Sequence, residues 1–352
     1  MSALVPSRRL LGAVAILIGL ATAAPAAASS SHGRYQVHNL VSDMPGAADN
    51  VDPNLVNAWG LTAGPATPWW VADNGTDRST LYNAAGTPLP LVVGVSGAPT
   101  GAVFGGMPDS FLVDGKPATF IFSTEGGTVL GWAGGTAATV EAGGSQAGAV
   151  YKGLAIAQTP SGPRIYATDF HNGAVDVFDS AWQPVRSAGF VDRSLPKDFA
   201  PFGIQAIGDR IFVTYAKRQA GSDDEAHGQG LGIVDAYDVS GRLLERVAQF
   251  GRLDAPWGLA WAPESFGRFG GDLLVGNFGD GRIDAYREIH GNFVPAGQLR
   301  AADGGRLAID GLWALQFGHG AANNGPTDTL FFTAGPNDEN DGLFGSIRAA
   351  DQ

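Results

Sequence analysis

The sequence has no cysteine and few charged side chains, and both absences narrow the chemistry that it can perform. Without thiolates, a cysteine nucleophile and a zinc site built on cysteine ligands are excluded. An exported protein without disulfides has to be held together by a large core or a closed architecture. Charged residues make up only 16% of the chain, and the net charge of −12 disfavours nucleic acid as a partner, because phosphate binding needs a basic surface.

Common catalytic and nucleotide-binding motifs are also missing. The chain contains no Gly-x-Ser-x-Gly elbow, no His-Glu-x-x-His pair, no P-loop and no dinucleotide fingerprint. We therefore expect no nucleotide cofactor. Glycine and proline are abundant instead, with 52 and 21 residues, and this composition favours many short strands joined by tight turns over helices.

One long apolar run is present, and it lies at the N terminus. It follows Arg8 and Arg9 and ends in small residues, which is the pattern of a secretory signal peptide over residues 1–28. The run is too short for a membrane span, and no other segment is apolar enough for one. Whether the paired arginines mark twin-arginine or ordinary Sec export stays open. We predict a secreted protein without a membrane span, whose mature domain is residues 29–352.

A Trp-Gly-Leu phrase occurs at Trp59 and again at Trp257, 198 residues later. Apolar phrases centred on a glycine recur about every 40 to 55 residues, which is the spacing of propeller blades. Six such phrases are present, at residues 56–63, 100–106, 151–157, 201–207, 256–262 and 310–317. Each is followed by a second strand pattern and then by a third, which alternates apolar and polar residues as a half-buried strand does.

Weaker fourth strands follow in the first five units, for example at 184–190, but the sixth unit has none. The strand pattern at 35–41 precedes the first unit and belongs to no unit. We therefore predict an all-β fold, a six-bladed β-propeller of residues 29–352 that is closed by its N-terminal strand. Closure of this kind leaves only short, protected edges. Six units and one separate strand fit this fold better than a seven-bladed propeller with a degenerate blade or a pair of sandwiches.

The strand phrases resemble those of a broad group of six-bladed propellers, which includes NHL-repeat proteins, the SMP-30/gluconolactonase and paraoxonase group, and strictosidine-synthase-like proteins. Residues 39–61, 68–86 and 331–347 are similar to a family of secreted bacterial hypothetical proteins, some of which carry a PEP-CTERM sorting tail. The resemblance covers nearly all of the mature chain and implies a fold and a compartment, but no established activity. No such tail follows Ile347, so we expect release from the cell instead of sorting to the envelope.

In a propeller, the loops that enter the inner strands and the loops between second and third strands lie on the same face. We expect a ligand pocket on that face, because aromatic walls with a few polar groups are the default form of a small-molecule site. The candidate ligand-binding residues are Trp59, Phe202, Tyr215, Trp257 and Trp313. The alternative is that these aromatic side chains plug the channel and pack the blades together.

Acids and amides at the ends of second strands offer oxygen ligands for a hard divalent cation. We predict such a site from Glu125, Asp169 and Asn277, together with Asp73 of the first unit. The pattern resembles the calcium site of the gluconolactonase and paraoxonase group, and this resemblance implies Ca²⁺ as the ion. The surrounding motifs do not match that group, and units four and six supply no equivalent ligand.

His171 is the candidate catalytic residue, because it directly follows a second strand and imidazole serves as a general base near neutral pH. The alternative is that His171 belongs to a polar turn with Asn-Gly chemistry. Two long loops, at 217–232 and 335–345, are predicted to lie on the pocket face, where a mobile lid belongs.

We predict a monomeric, secreted propeller that binds a small molecule or an extracellular polymer on the pocket face. Two alternatives stay open. The first is a metal-assisted lyase or hydrolase that acts on a small molecule, and the second is an extracellular scaffold that binds protein or glycan. The fold cannot decide among them, because propellers support all three functions.

Overall fold

A computed structural model describes residues 1–3, 33–144, 146–186 and 189–350. The chain divides into two units, Met1–Ser31 and His32–Gln352, and everything below concerns the second. The predicted signal peptide lies outside the described residues except for its first three positions. Among the described residues, no helix is long and apolar enough to cross a membrane.

Six antiparallel sheets, the blades, follow one another along the chain, and each begins with its innermost strand. Two strands precede the first blade, β1 (Arg34–Ser42) and β2 (Asn50–Val51). Blade one contains β3 (Ala58–Thr62), β4 (Trp69–Asp73), β5 (Arg78–Tyr82) and β6 (Val93–Gly94). Blade two contains β7 (Pro99–Phe104), β10 (Phe120–Thr124), β11 (Thr128–Trp132) and β12 (Thr139–Gly143), and the hairpin β8 (Leu112–Val113) and β9 (Lys116–Pro117) lies between its first two strands in the chain. Blade three contains β13 (Tyr151–Thr159), β14 (Gly162–Asp169) and β15 (Ala174–Asp179).

The second half of the propeller repeats this order. Blade four contains β16 (Phe199–Ile207), β17 (Arg210–Lys217), β18 (Gly232–Asp238) and β19 (Leu243–Gln249). Blade five contains β20 (Pro256–Trp261), β21 (Leu273–Asn277), β22 (Ile283–Ile289) and β23 (Asn292–Gln298), and the short β24 (Arg300–Ala301) follows it. Blade six contains β25 (Leu312–Phe317), β26 (Leu330–Ala334) and β27 (Leu343–Ala349). Short 3₁₀ helices cover Asn74–Thr76 and Gly267–Phe269.

The N-terminal strand β1 supplies the missing outer strand of blade six. It pairs antiparallel with β27, from Tyr35 opposite Ala349 to Ser42 opposite Leu343. Strand β1 therefore joins the first residues of the propeller to its last strand and closes the ring. The predicted six-bladed fold with N-terminal closure is confirmed.

Blade three differs from the prediction at its outer edge. The described residues of the predicted strand at 184–190 form no ladder, and only the bridge between Phe178 and Pro184 continues the sheet. The backbone N–H of Val185 also donates to the carbonyl oxygen of Val177 at 2.7 Å. Residues 187 and 188 lie outside the described part of the chain. Pro184 has no backbone N–H to donate to a ladder, and the apolar pattern of the segment is short. The segment therefore adds no fourth strand, and the sheet has three strands.

The recurring glycine of the inner strands is explained by the distance between neighbouring blades. A Cβ atom at Gly203 would lie 2.2 Å from the carbonyl oxygen of Trp257, and one at Gly258 would lie 2.4 Å from that of Trp313. Such distances are far inside van der Waals contact, so the inner strands approach as closely as they do only because this position has no side chain. The ladder also shifts register at this point in every blade, as at a β-bulge.

The hydrophobic core is divided by the blades. Six clusters of buried residues fill the six interfaces between adjacent blades. A seventh cluster lies in the channel and contains mostly aromatic residues. Burial of this kind on every sheet face holds the propeller together without a disulfide.

Candidate functional site

The residue before each inner-strand glycine belongs to one ring around the channel, which we call the inner ring. The ring residue occupies the same place in every blade: it comes one residue after the paired residue of the inner strand at which the bulge begins. The members are Trp59, Thr100, Lys152, Phe202, Trp257 and Trp313. Blade six carries Ala314 in place of the glycine. Four of the six positions are aromatic, so the repeat places an aromatic plug at the start of the inner strands.

The aromatic members of the inner ring are in direct contact. Trp59 stacks on Trp313 with the ring centroids 3.7 Å apart, and Phe278 stacks on the other side of Trp313 at 3.9 Å. Trp257 stands edge-on to both tryptophans and is partly exposed, whereas Trp59, Phe202 and Trp313 are buried. The structure therefore brings four of the five predicted ligand-binding residues together as a packed plug, with Trp257 as its accessible edge.

Tyr215 is not part of this plug. It pairs with Pro201, one residue ahead of the inner-ring position, and side chains alternate between the two faces of a strand. Its hydroxyl group lies 2.6 Å from that of Tyr237, inside the interface between blades three and four. Tyr215 is therefore a packing residue of that interface.

The predicted metal ligands are separated by the same alternation. Asp73, Asp169 and Asn277 are ladder partners of the residue before the inner ring, whereas Glu125 lies one position further along its blade. A shift of one residue moves a side chain to the opposite face of a sheet. Only Glu125 therefore faces the channel mouth, which is the end of the channel where the inner strands begin.

The side chains of the other three predicted ligands lie in separate surroundings and face away from the mouth. The carboxylate of Asp169 accepts hydrogen bonds from the backbone and side chain of Asn172, which closes the turn after β14. The side-chain oxygen of Asn277 accepts the backbone N–H of Asp254 at 3.0 Å. Asp73 is fully buried, and burial raises its pKa well above the usual value, with the charge of Asp52 adding to the effect.

These four residues do not fit a shared divalent cation. Glu125, Asp169 and Asn277 have their oxygen atoms in other hydrogen bonds, whereas both carboxylate oxygens of Asp73 are buried without a hydrogen-bond partner in the described part of the chain. The described residues contain no group of three or more histidine, aspartate or glutamate side chains arranged to hold a metal ion. Calcium binding stays a prediction.

Lys152 is the inner-ring residue of blade three, and its ammonium group holds the centre of the mouth. Its side chain is 3% exposed, and Nζ lies 2.6 Å from Oε1 of Glu125. The other oxygen of Glu125 accepts the amide of Asn74 at 2.9 Å. Nζ also lies 5.1 Å from the ring centroid of Trp59 and 6.0 Å from that of Phe170. Burial opposes the charged form, but the charges of nearby glutamates outweigh it and raise the pKa of Lys152.

A second carboxylate reaches the mouth from the loop between β26 and β27. Oε2 of Glu339 accepts the side-chain amide of Asn57 at 2.6 Å, and the oxygen of Asn57 accepts the indole N–H of Trp313. Both residues have left-handed backbone, with φ of 48° at Asn57 and 64° at Glu339. Such strain is tolerated where the surroundings enforce it, often at functional sites. Burial, followed by the charge of Glu225, raises the pKa of Glu339.

The loop between β17 and β18, residues 218–231, lies over the mouth, and we call it the lid loop. Its Asp224 has Oδ1 4.0 Å from Nζ of Lys152, and its Glu225 side chain is only 5% exposed. Nε2 of His227 lies 3.8 Å from Glu225, and the imidazole stands perpendicular to the ring of Phe278 with the centroids 5.1 Å apart. The long loop predicted at 217–232 therefore does lie on the pocket face.

His171 lies beside the lid loop at the rim of a cleft of about 810 Å³. Its Nδ1 is 2.7 Å from Oδ1 of Asp223, and both side chains are nearly half exposed. Lys217 and Asp198 line the same cleft and form an ion pair at 3.3 Å. The cleft offers an imidazole held by a carboxylate, which is the arrangement of a general base and its orienting partner.

Sequence reasoning missed Lys152, Glu225 and Glu339 as site residues. The signal for Lys152 was present, because it stands before the glycine of the third phrase, where four other phrases carry an aromatic residue. The two glutamates lie in the two long loops that were predicted to reach this face. Nothing in the loop sequences distinguishes the inward-facing acids from their exposed neighbours.

Comparisons with known proteins give relatives without a known activity. The chain is 30% identical over 332 residues to "Uncharacterized protein R648" of Acanthamoeba polyphaga mimivirus, an alignment that covers 89% of this chain and 80% of the relative. No family model matches the sequence.

Solved structures with this architecture are similar in fold alone. Virginiamycin B lyase from Staphylococcus aureus has a TM-score of 0.51 at 12% identity, with 90% of this chain and 99% of the lyase covered. A protein of unknown function from Bacteroides thetaiotaomicron has a TM-score of 0.57 at 11% identity, with 89% and 76% covered. These neighbours agree with the predicted likeness to six-bladed propellers. The likeness to a bacterial PEP-CTERM family stays a prediction.

Proposed function

We propose that this chain, which belongs to the family of the uncharacterised mimivirus protein R648, is a ligand-binding propeller that holds a small molecule at the channel mouth. The observation that carries the proposal is the ion pair that the buried ammonium group of Lys152 forms with Glu125, in an inner ring whose other members apart from Thr100 are aromatic. The site lies on the face where the inner strands begin, and the lid loop covers it.

Stability alone does not explain a buried ammonium group paired with a partly exposed carboxylate at this place. The loss of hydration usually equals or exceeds the attraction between two buried charges, and well-packed apolar groups do as well or better. The same chain fills the equivalent position of four other blades with tryptophan or phenylalanine, and two of these side chains, Phe202 and Trp313, are completely buried. An apolar side chain is thus accommodated by this fold. Charges kept in such a ring are better explained by recognition of a ligand.

Strand β20 offers a matched pair of variants that tests the site. Trp257 and Trp261 lie near opposite ends of this strand, and both are partly exposed. Thermal shift would be measured against a panel of monosaccharides, sugar acids, amino acids and amines, since a ligand that binds the folded state raises its melting temperature. A compound that stabilises the protein should lose its effect in Trp257→Ala and keep it in Trp261→Ala. Equal loss in both variants, or a loss confined to Trp261→Ala, would contradict the site.

A second candidate function is hydrolysis or elimination in the cleft beside the lid loop. The contact of 2.7 Å between His171 and Asp223 favours it, because a carboxylate on Nδ1 fixes the tautomer in which Nε2 accepts a proton. Hydrolysis of p-nitrophenyl acetate tests this function. His171→Asn and Asp223→Asn should each lower the rate about a hundredfold, while Lys217→Gln should leave it nearly unchanged. A rate that survives both substitutions would remove this candidate.

We also infer that the protein works outside the cell, on the strength of the signal-peptide pattern over residues 1–28. Secretion of the full chain from an expressing bacterium, with cleavage before residue 29 shown by N-terminal sequencing, is the expected result. Retention of the uncleaved chain in the cytoplasm would contradict it.

A further inference from the structure

We propose that the ligand of the channel mouth is an organic ammonium ion, whose charged group takes the place that the imidazole of His227 holds against Phe278. The inference rests on the proposed function and specifies the chemical class of its ligand. It is carried by three properties of the mouth: its excess of carboxylates, its aromatic faces and an exchangeable cationic group on the lid loop.

The carboxylates at the mouth outnumber the fixed cations. The carboxylates of three glutamates interact electrostatically with the single ammonium group of Lys152. They are Glu125, Glu225 and Glu339. Glu125 is the direct partner of that ammonium group, at 2.6 Å. The charge of Glu225 adds to the rise in the pKa of Glu339, so the two carboxylates repel each other, and a second positive charge would relieve this repulsion.

Lys152 shows how this mouth holds an ammonium group. One carboxylate oxygen lies 2.6 Å from Nζ, and the faces of Trp59 and Phe170 lie within 6.0 Å of it. Aromatic faces attract cations through the negative charge on the ring face, and organic ammonium ligands are recognised by the same combination of rings and carboxylates. A second ammonium ion would therefore need a second aromatic face with a nearby acid.

Phe278 and Glu225 form that second position, and His227 is placed between them. The imidazole is perpendicular to the ring of Phe278 at 5.1 Å, and Nε2 is 3.8 Å from Glu225. The interaction with Glu225 raises the pKa of His227, with partial burial opposing it and the charges of Glu225, Asp254 and Glu339 adding to the increase. The surroundings thus favour a cation where His227 stands.

His227 is also able to leave this position without disturbing the blades. Its side chain is 53% exposed, and it belongs to the lid loop and not to a strand. The neighbouring Ala226 lines the cleft of about 810 Å³, so a ligand that enters the cleft comes within one residue of His227. The proposed ligand displaces this imidazole and contacts Phe278 in its place.

Choline and its neutral isostere 3,3-dimethylbutan-1-ol separate charge recognition from apolar binding, because the two have nearly the same shape. Tryptophan fluorescence and thermal shift would be followed during titration with each compound. We expect choline to shift both signals with saturation and the isostere to require at least about tenfold higher concentration, since cation–π contacts and a facing carboxylate add this much discrimination.

Two variants assign the choline effect to the mouth. Glu339→Gln keeps the shape of the side chain but removes its charge, so it should weaken choline binding about fivefold or more. Glu264→Gln is the matched control, because Glu264 is exposed on the turn between β20 and β21 at the opposite end of the propeller. His227→Ala should strengthen choline binding, since it removes the side chain that competes for Phe278. Circular dichroism would confirm that each variant is folded.

The outcomes distinguish the chemical class of the ligand from the location of its site. Equal binding of choline and the isostere, or no response of choline binding to Glu339→Gln, would overturn the ammonium class. If only neutral or anionic compounds of the thermal-shift panel bind, and Trp257→Ala abolishes that binding, the ammonium class is wrong while the mouth remains the ligand site. A choline signal that survives both Trp257→Ala and Glu339→Gln would place binding outside the mouth and overturn the further inference.

Discussion

The two ends of the central channel are built by the same six inner strands, yet they differ in chemistry. The mouth carries charged and amide side chains over an aromatic plug, with Lys152 and Glu125 at its centre. The opposite end is a cavity of about 180 Å³ without charged side chains among the described residues of its lining, which include Phe104, Ile156 and Gln316. Between the two ends, the open space is only about 20 Å³, roughly enough for one water molecule.

The difference shows where this fold can place chemistry. Residues near the start of an inner strand meet loops from the second and third strands, so backbone groups and long side chains converge there. The later residues of the same strands meet only their neighbours in the ring, and small or apolar side chains fill that space. Changes at the mouth should therefore alter recognition, whereas changes at the opposite end should alter packing alone.

Removal of β1 should destroy both ends together and is expected to have the largest effect. Deletion of Arg34–Ser42 unpairs β27 and exposes a sheet edge, and it removes the buried Tyr35, Leu40 and Val41. Each of these side chains contributes about 1.5–3 kcal/mol, so the free energy of unfolding should fall by about 5 kcal/mol or more. Urea denaturation and size-exclusion chromatography measure the loss. A monomeric variant with an unchanged melting temperature would show that the ring does not depend on this strand.

Lys152→Ala should disturb the mouth alone. It leaves Glu125, Glu225 and Glu339 without the ammonium group, and removal of one partner from a buried charge group costs about 3 kcal/mol or more. Lys152→Met keeps most of the apolar stem and should cost less. The double variant Lys152→Met with Glu125→Gln should recover part of the stability, which urea denaturation would measure. Lack of any recovery would mean that packing of the stem, and not charge balance, dominates at this position.

Glu339→Gln should change the dependence of stability on pH in a defined direction. A raised pKa means that the folded protein holds the proton more tightly than the unfolded chain. The stability contributed by Glu339 is therefore complete below its unfolded pKa and is lost as pH rises through the folded pKa. At pH 7 the unfolded chain has lost the proton, and ionisation of Glu339 in the folded protein is disfavoured, so the residue opposes folding there. Below about pH 4 glutamate and glutamine are both neutral.

Urea denaturation at the two pH values measures this effect. Relative to the wild type, Glu339→Gln should be more stable at pH 7 than at pH 4, after Glu264→Gln has been subtracted as the exposed control. A relative stability that is the same at both values would contradict the raised pKa of Glu339.

Ala206→Val at the opposite end should have the smallest effect. Ala206 lines the cavity at this end and packs, partly buried, against the core between blades three and four, so there is room beside it for two more methyl groups. We expect a change in the free energy of unfolding within about 0.5 kcal/mol and no change in any ligand-induced thermal shift at the mouth. A change in ligand binding would show that the two ends are coupled through the inner strands.

The fold could be predicted because its signals repeat. The apolar phrase occurs six times, and five copies carry the glycine for one physical reason, the close approach of adjacent inner strands at positions such as Gly203 and Gly258. The separate strand before the first unit then identified the closing strand. The outer edge of blade three was the weak point, since Pro184 and its neighbours have no strong strand pattern and no repeat supports them.

The site could be predicted only in part, because it depends on register. The aromatic residues Trp59, Trp257 and Trp313 follow directly from the repeat phrase. Glu125 was grouped with Asp169 by its position near a strand end, but the ladder places it one residue further along, so the two face different directions. Bulges in the inner strands decide this register, and a sequence pattern locates them only to within a residue or two.

The inner ring also has a consequence for how such proteins diversify. Each blade contributes one residue at the same repeat position, and around the channel these residues read Trp, Thr, Lys, Phe, Trp and Trp. Because the adjoining glycine or alanine, and not this residue, sets the distance between blades, a point mutation can change one of the six without moving a sheet. The six ring residues can therefore vary one by one while the arrangement of the blades stays the same. We expect relatives with the same blade arrangement but other ring residues to bind other ligands.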